Sequence, residues 1–90
     1  MKKSLQLLVR GQVQGVGFRA HTKQVADVLG VVGFVKNLPN GSVQVQATGE
    51  ETMIYKLVDY CHHGPPNATV TKVSVEFGSS EVFDGFSICE

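Results

Sequence analysis

A glycine-containing stretch near the start of the chain, residues 11–19 (GQVQGVGFR), carries the residue types of an anion-binding site. It lies between an apolar run that predicts a strand and a segment that predicts a helix. A loop in that position can turn successive backbone N–H groups toward one point, at the positive end of the helix dipole. Arg19 ends the stretch, and its planar guanidinium matches the geometry of a phosphate or a carboxylate. The stretch therefore predicts a phosphate-binding loop.

Each of these residues also has an ordinary structural explanation. Gly15 and Gly17 taken alone indicate no more than turns. Arg19 could be a surface arginine in the first turn of a helix, but its charge would there oppose the helix dipole, which favours a functional role. Asn37, at the end of a predicted strand, is equally typical of a strand end or a turn. The two glycines become informative only together with Arg19 and Asn37.

Length and composition predict a single domain over residues 1–90. The chain has 90 residues, 42% of them apolar, which is enough for one continuous core. Its formal net charge is zero, so no broad positive field attracts a polyanion. Any recognition of an anion must therefore be local, and no nucleic-acid partner is expected.

The cysteines and the N-terminus bear on the compartment. Cys61 and Cys89 are far apart and lack metal-ligand spacing, which favours two reduced thiols while leaving a single bridge open. Residues 5–9 are too short an apolar run for a signal peptide, and no segment approaches transmembrane length. We therefore expect a cytoplasmic protein with no membrane partner.

The first part of the chain predicts a strand and a helix. Residues 4–10 are apolar with polar interruptions, which is typical of an interior strand. Residues 20–30 predict a helix that ends at a glycine. In that helix, the spacing of Val25, Val28 and Leu29 predicts one buried face.

A β-hairpin is predicted next. Residues 31–37 are β-branched and aromatic, which indicates a strand, and Asn40-Gly41 is a strong signal for a tight turn. Residues 42–48 alternate between apolar and polar side chains, as a half-buried antiparallel strand does. The apolar set of that strand is Val43, Val45 and Ala47.

The second half predicts a helix and two more strands. Residues 49–52 open the helix, which the sequence HHGPP at residues 62–66 ends. Its apolar stripe is Met53, Ile54, Leu57, Val58 and Cys61. A strand follows over residues 69–77, with one slip in its register, and its apolar set is Val70, Val73, Val75 and Phe77. After a loop at residues 78–80, residues 82–89 predict an edge strand, whose inward residues are Phe86 and Ile88.

This order of elements, βαββαβ plus a short fifth strand, predicts the architecture. Right-handed crossovers put both helices on one face of the sheet. The expected fold is a ferredoxin-like two-layer α+β sandwich with a mainly antiparallel sheet. Because a βαβ crossover makes the first two strands parallel, Arg19 and Asn37 are expected at the same, carboxyl, edge of the sheet.

Two blocks of the sequence resemble the acylphosphatase family. They are residues 11–19 and residues 33–43 (GFVKNLPNGSV), which are specific in that order and at about that separation. Weaker similarities are found at residues 49–50, 64–66 and 86–88. The resemblance extends over nearly the whole chain, and the predicted order of elements matches the fold of that family.

The resemblance implies hydrolysis of the carboxyl-phosphate bond of a small-molecule acyl phosphate, without a metal or cofactor. Asn37 is implied to position the attacking water, and Thr22 to support the site. An asparagine cannot serve as the base, so the substrate's own phosphate oxygen is implied to accept the proton. Nearby His21 is interpreted as a partly exposed helix residue and not as a catalytic base. The implied phosphate ligands are Gln14, Gly15, Val16, Gly17, Phe18 and Arg19.

Domains with this order of elements can also have other functions. An RNA-binding module of the same topology would need aromatic residues on the strands at residues 4–10 and 42–48, which have none. A metal-carrying domain would need paired cysteines in the first loop. A non-catalytic acylphosphatase-like module that binds phosphate or regulates is the alternative that stays open. We expect a monomer, with strands at residues 82–89 or 31–37 as the edges that could pair between chains.

Overall fold

The computed structural model describes residues 1–78 and 82–89, and in this part of the chain two helices pack against a five-stranded sheet. The strand order is β4-β1-β3-β2-β5, and every neighbouring pair is antiparallel except β2 and β5, which are parallel. This arrangement confirms the predicted ferredoxin-like α+β sandwich. The elements are β1 (Lys2–Gln12), α1 (Phe18–Leu29), β2 (Val32–Asn37), β3 (Val43–Glu50), α2 (Glu51–His63), β4 (Thr69–Phe77) and β5 (Phe86–Cys89).

One hydrophobic core lies between the sheet and the helices. Alternate side chains of the three inner strands β1, β3 and β2 face the helices, as the period of a strand requires. The predicted apolar stripe of α2 meets them, with Ile54, Leu57 and Cys61 fully buried. Burying one such side chain contributes about 1.5–3 kcal/mol. The apolar strand residues with no exposed surface are Leu5, Leu7, Val9, Val35, Val43, Val45 and Ala47. No helix of the described chain is long and apolar enough to cross a membrane.

Helix α1 begins two residues earlier than predicted and buries a different stripe. Its fully buried residues are Phe18, Thr22 and Ala26, and Val25 is partly buried beside them. Val28, which the sequence placed on the buried face, is 87% exposed. Residues four apart share a face of a helix, so a stripe that starts at Phe18 leaves Val28 in solvent. The prediction for Val28 was therefore wrong.

Strand β4 has the predicted bounds and the predicted slip in register. Its pairing with β1 shifts by one residue at Thr71, which is a β-bulge. Val70 and Val73 pack against the core, but Val75 and Phe77 are 37% and 59% exposed. The last two residues of the predicted apolar set therefore do not join the core, because β4 is at the edge of the sheet and only its first half reaches the core.

Strand β5 is shorter than the strand predicted over residues 82–89, and its position corrects two expectations. Phe86 points inward as expected and is buried, whereas Ile88 is 40% exposed at the border of the sheet. Because β5 pairs with β2, the edge strands of the sheet are β4 and β5, and β2 is not an edge. Of the loop predicted at residues 78–80, residues 79 and 80 lie outside the described residues.

Candidate active site

The register of the sheet places Asn37 beside the loop that leaves β1. Val43 of β3 is paired with Val9 of β1 on one side and with Asn37 of β2 on the other. Paired residues point to the same face of a sheet, and Val9 and Val43 are buried beneath the helices, so Asn37 is on the helix side as well. Strands β1 and β2 are both antiparallel to β3 and so run in the same direction, which confirms that their carboxyl ends meet at one edge.

The loop at residues 13–17 leads into a helix N-terminus without a cap. Gly15 and Gly17 have φ angles of 75° and 80°, a left-handed conformation in which a side chain is strained. Gly17 is the N-cap residue of α1, no side chain caps this helix, and its first turn has no acidic residue. Within the described chain, the N–H groups of residues 14–18 donate no hydrogen bond. Unpaired N–H groups at the positive end of a helix dipole form a site for an anion.

The loop, the start of α1 and the end of β2 line one surface cleft of about 190 Å³. Five of the predicted site residues are brought together there: Gly15, Gly17, Phe18, Arg19 and Asn37. The other lining residues are Val13, Ala20 and Ile88. Gln14 and Val16 do not line the cleft, and the side chain of Val16 packs partly against the core.

Arg19 is half-buried and is held in place by a neutral group. Its Nη1 donates a hydrogen bond to the main-chain oxygen of Cys89 in β5, 3.1 Å away. Among the described residues, the ion pairs are Met1–Glu50, Lys3–Glu51 and Lys23–Asp27, so none of them neutralises Arg19. Its charge is therefore available to an anion in the cleft.

Asn37 carries a hydrogen-bond acceptor without a donor. Its Oδ1 is buried and has no hydrogen-bond partner in the described part of the chain. A buried polar atom without a hydrogen bond lowers the free energy of unfolding by about 1–3 kcal/mol. The cleft thus combines a cation and free N–H donors with an unused acceptor, which suits a phosphate together with a water molecule.

Thr22 and His21 lie near the cleft without lining it. Thr22 is fully buried, and its Oγ1 donates to the main-chain oxygen of Phe18 at 2.7 Å, which fixes the first turn of α1 from behind. His21 is exposed, and its ring Nδ1 donates to the main-chain oxygen of Gly17 at 2.9 Å. Among residues 1–78 and 82–89, no acidic or histidine side chain lines the cleft.

Gln14 uses its side chain away from the cleft. Its Nε2 donates to the main-chain oxygens of Leu38 and Ser42, at 2.8 and 2.9 Å, in the turn between β2 and β3. No sequence pattern predicts this contact, because a backbone oxygen can belong to any residue type. The same holds for the Cys89 oxygen that contacts Arg19. Ile88 lines the cleft, and the only sequence feature that pointed to it was the weak similarity to the family at residues 86–88.

The titratable groups with perturbed pKa values lie in the core. Burial raises the pKa of the Cys61 thiol to about 12. Burial, followed by the charge of Cys61, also raises the pKa of Tyr60, whose ring packs against Phe18 with 6.2 Å between centroids. Neither residue lines the cleft. In the described chain, no three His, Cys, Asp or Glu side chains are grouped so as to hold a metal ion.

Comparison with known proteins identifies a family for this arrangement. The family model for acylphosphatase matches residues 5–88. A curated acylphosphatase of Geobacter metallireducens is 48% identical over 89 residues, covering 98% of this chain and 96% of its own. One from Acaryochloris marina is 45% identical over 84 residues, covering 93% and 90%. The crystal structure of acylphosphatase from Bacillus subtilis is similar with a TM-score of 0.94 and 36% identity, covering 100% of both chains.

Proposed function

Because this chain belongs to the acylphosphatase family, we propose that the cleft lined by Gly15, Gly17, Phe18, Arg19 and Asn37 is the active site of an acyl phosphate hydrolase. The family assignment itself makes the protein a hydrolase of the carboxyl-phosphate bond. The observation that carries the assignment of the site is that Arg19 and Asn37 line the same cleft. Among the described residues, Arg19 makes no ion pair and Asn37 Oδ1 has no hydrogen-bond partner.

In this proposal, the phosphoryl group is bound by the N–H groups of the loop, from Gln14 to Phe18, and by Arg19. The charge that must be stabilised during transfer lies on the phosphoryl oxygens, which calls for a fixed array of donors and a cation. The unpaired N–H groups and the uncapped end of α1 supply that array without reorganisation. The left-handed backbone conformation of the two glycines is, in this proposal, what presents those groups to the phosphoryl group.

Asn37 positions the water. Its Oδ1 accepts a hydrogen bond from the water, whose oxygen then attacks phosphorus in line with the carboxylate that leaves. The phosphorus–oxygen bond to water forms while the bond to the acyl oxygen breaks, and the electron pair departs with the carboxylate. The described residues that line the cleft include no acid or base, and in this proposal a phosphoryl oxygen of the substrate takes the proton from the water. Because a carboxylate is a stable leaving group at neutral pH, it needs no proton.

The reaction needs no metal in this scheme, since Arg19 and the helix N-terminus supply the positive potential. Thr22 supports the first turn of α1 through its bond to Phe18. We further propose that the chain works as one domain over residues 1–90 and as a monomer, because every side chain of the scheme comes from one copy. The two unbridged cysteines support a cytoplasmic location.

The test is hydrolysis of benzoyl phosphate by the purified protein in oxygen-18-labelled water with EDTA present. We expect turnover far above background, with the label in inorganic phosphate and none in benzoate. Label in benzoate would mean attack at the carbonyl carbon and would overturn the proposed role of the cleft. Loss of turnover in EDTA would contradict the metal-free scheme. Absence of turnover with retained phosphate binding would favour the non-catalytic module.

A further inference from the structure

The side chain of Gln14 joins the two halves of the proposed active site. Gln14 belongs to the loop that follows β1, whereas Leu38 follows Asn37 directly in the turn after β2. Within the described chain, the bonds from Gln14 Nε2 to Leu38 and Ser42 are the hydrogen bonds that connect residues 13–17 with residues 37–42. Strand β3 lies between the two strands that carry these segments.

The geometry of this contact calls for a side chain with two N–H donors. The main-chain oxygen of Leu38 also accepts from the N–H of Gly41 at 3.1 Å, and that of Ser42 accepts from the N–H of Leu38 at 2.9 Å. Each carbonyl therefore accepts two hydrogen bonds, one from the turn itself and one from Gln14. The amide nitrogen has two hydrogens, so both are used. A glutamate here would place an acceptor against two acceptors.

We propose that Gln14 is a positioning residue for the hydrolysis, which sets the distance between the phosphate loop and Asn37. This inference rests on the proposed function. The loop fixes the phosphoryl group and Asn37 fixes the water, so the alignment of the two reactants depends on how these segments are held together. A misplacement of about 1 Å in such a pair can cost about a hundredfold in rate.

The side chain of Gln14 is not a ligand of the substrate, because both of its N–H groups are bound to the turn. Its loss should leave the N–H array and Arg19 in place, and with them the affinity for phosphate. The defect should appear in kcat, and it should depend on Asn37 being present. Simple destabilisation of the fold would produce neither feature.

The experiment uses Gln14→Met, which keeps the length of the side chain and removes the donors. Gln24→Met is the matched control, since Gln24 is exposed on α1 and its side chain makes no hydrogen bond to the described residues. Should the methionine variant fail to fold, Gln14→Asn removes the reach and keeps the amide. We measure kcat with benzoyl phosphate and the inhibition constant of inorganic phosphate. We expect kcat to fall about ten- to a hundredfold, with the inhibition constant within about threefold of wild type.

A double-mutant cycle with Asn37→Ala decides whether Gln14 acts through Asn37. We expect Gln14→Met to slow the Asn37→Ala enzyme by less than about threefold, since the water is already misplaced. Additive losses, a kcat of Gln14→Met close to wild type, or weaker phosphate binding equal to the loss in kcat would each overturn the inference. An Asn37→Ala enzyme with the wild-type kcat would instead overturn the role of Asn37 in the proposed function, and this inference with it.

Discussion

Arg19 Nη1 lies 3.1 Å from the main-chain oxygen of Cys89, so the first turn of α1 is hydrogen-bonded to the last strand of the sheet. Lys23, one turn further along the helix, donates to the main-chain oxygen of Phe86 at 2.9 Å. Two cations on one face of α1 therefore hold β5 through neutral carbonyls. The bond to Cys89 holds the guanidinium of Arg19 at the cleft, and no ion pair of the described residues neutralises it.

Replacing Arg19 should affect both binding and rate. Arg19→Ala removes the cation from the cleft, and we expect kcat/KM to fall at least about 10²- to 10³-fold, with inhibition by inorganic phosphate lost. Arg19→Lys should recover only part of this, because an ammonium cannot bond Cys89 and span two phosphate oxygens as the planar fork can. Steady-state kinetics measure both, with the exposed Arg10→Ala as control. Unchanged phosphate inhibition in Arg19→Ala would contradict the assignment.

Replacing Asn37 should separate rate from stability. We expect Asn37→Ala to lower kcat about 10²- to 10³-fold while phosphate inhibition changes by less than about threefold. The free energy of unfolding should stay level or rise, because the buried Oδ1 has no partner to lose. Kinetics and urea unfolding of the same preparation test both parts. A large drop in stability would indicate that Asn37 serves the fold instead.

Replacing Gly15 tests the conformation of the loop. A Cβ at this position would meet nothing within 4 Å, so the cost of Gly15→Ala is the strain of its φ of 75° alone. We expect about 1–2 kcal/mol of lost stability and weaker phosphate inhibition, because relief of the strain turns the N–H groups away. Gly30→Ala is the matched control, with a φ of 70° and equal space at the far end of α1. It should lose similar stability and keep its activity.

Stability should decline at alkaline pH through Cys61. Burial raises the pKa of this thiol to about 12, from 9.0 in the absence of the fold. The contribution of this raised pKa to the free energy of unfolding is complete below pH 9. It is lost as the pH rises toward 12, because the unfolded chain releases a proton that the folded chain keeps. The slope is at most about 1.4 kcal/mol per pH unit for one group. Urea unfolding between pH 8 and 10 should show the decline, which Cys61→Ala should flatten. An equal slope in that variant would exclude Cys61 as its source.

The hydrophobic periodicity of the chain was sufficient to predict the fold class, but it did not predict the buried face of every helix and strand. Alternation at Val43, Val45 and Ala47 identified the buried side of β3 correctly, since a period of two fixes which side chains share a face. The prediction for Val28 was wrong, because the orientation of α1 depends on where the helix starts. The burial predicted for Ile88 was also wrong, because it depends on which strand lies at the edge of the sheet.

The sequence by itself determined the order of the elements, the glycine loop before a helix, and the meeting of Arg19 and Asn37 at one edge, because local pattern and the handed crossover decide these. Only the tertiary structure decided the partners of those side chains. The bonds of Arg19 to Cys89 and of Gln14 to Leu38 end on backbone oxygens, which every residue type carries. Such a contact cannot be predicted from the pattern of side chains, since it depends on how distant segments are placed in space.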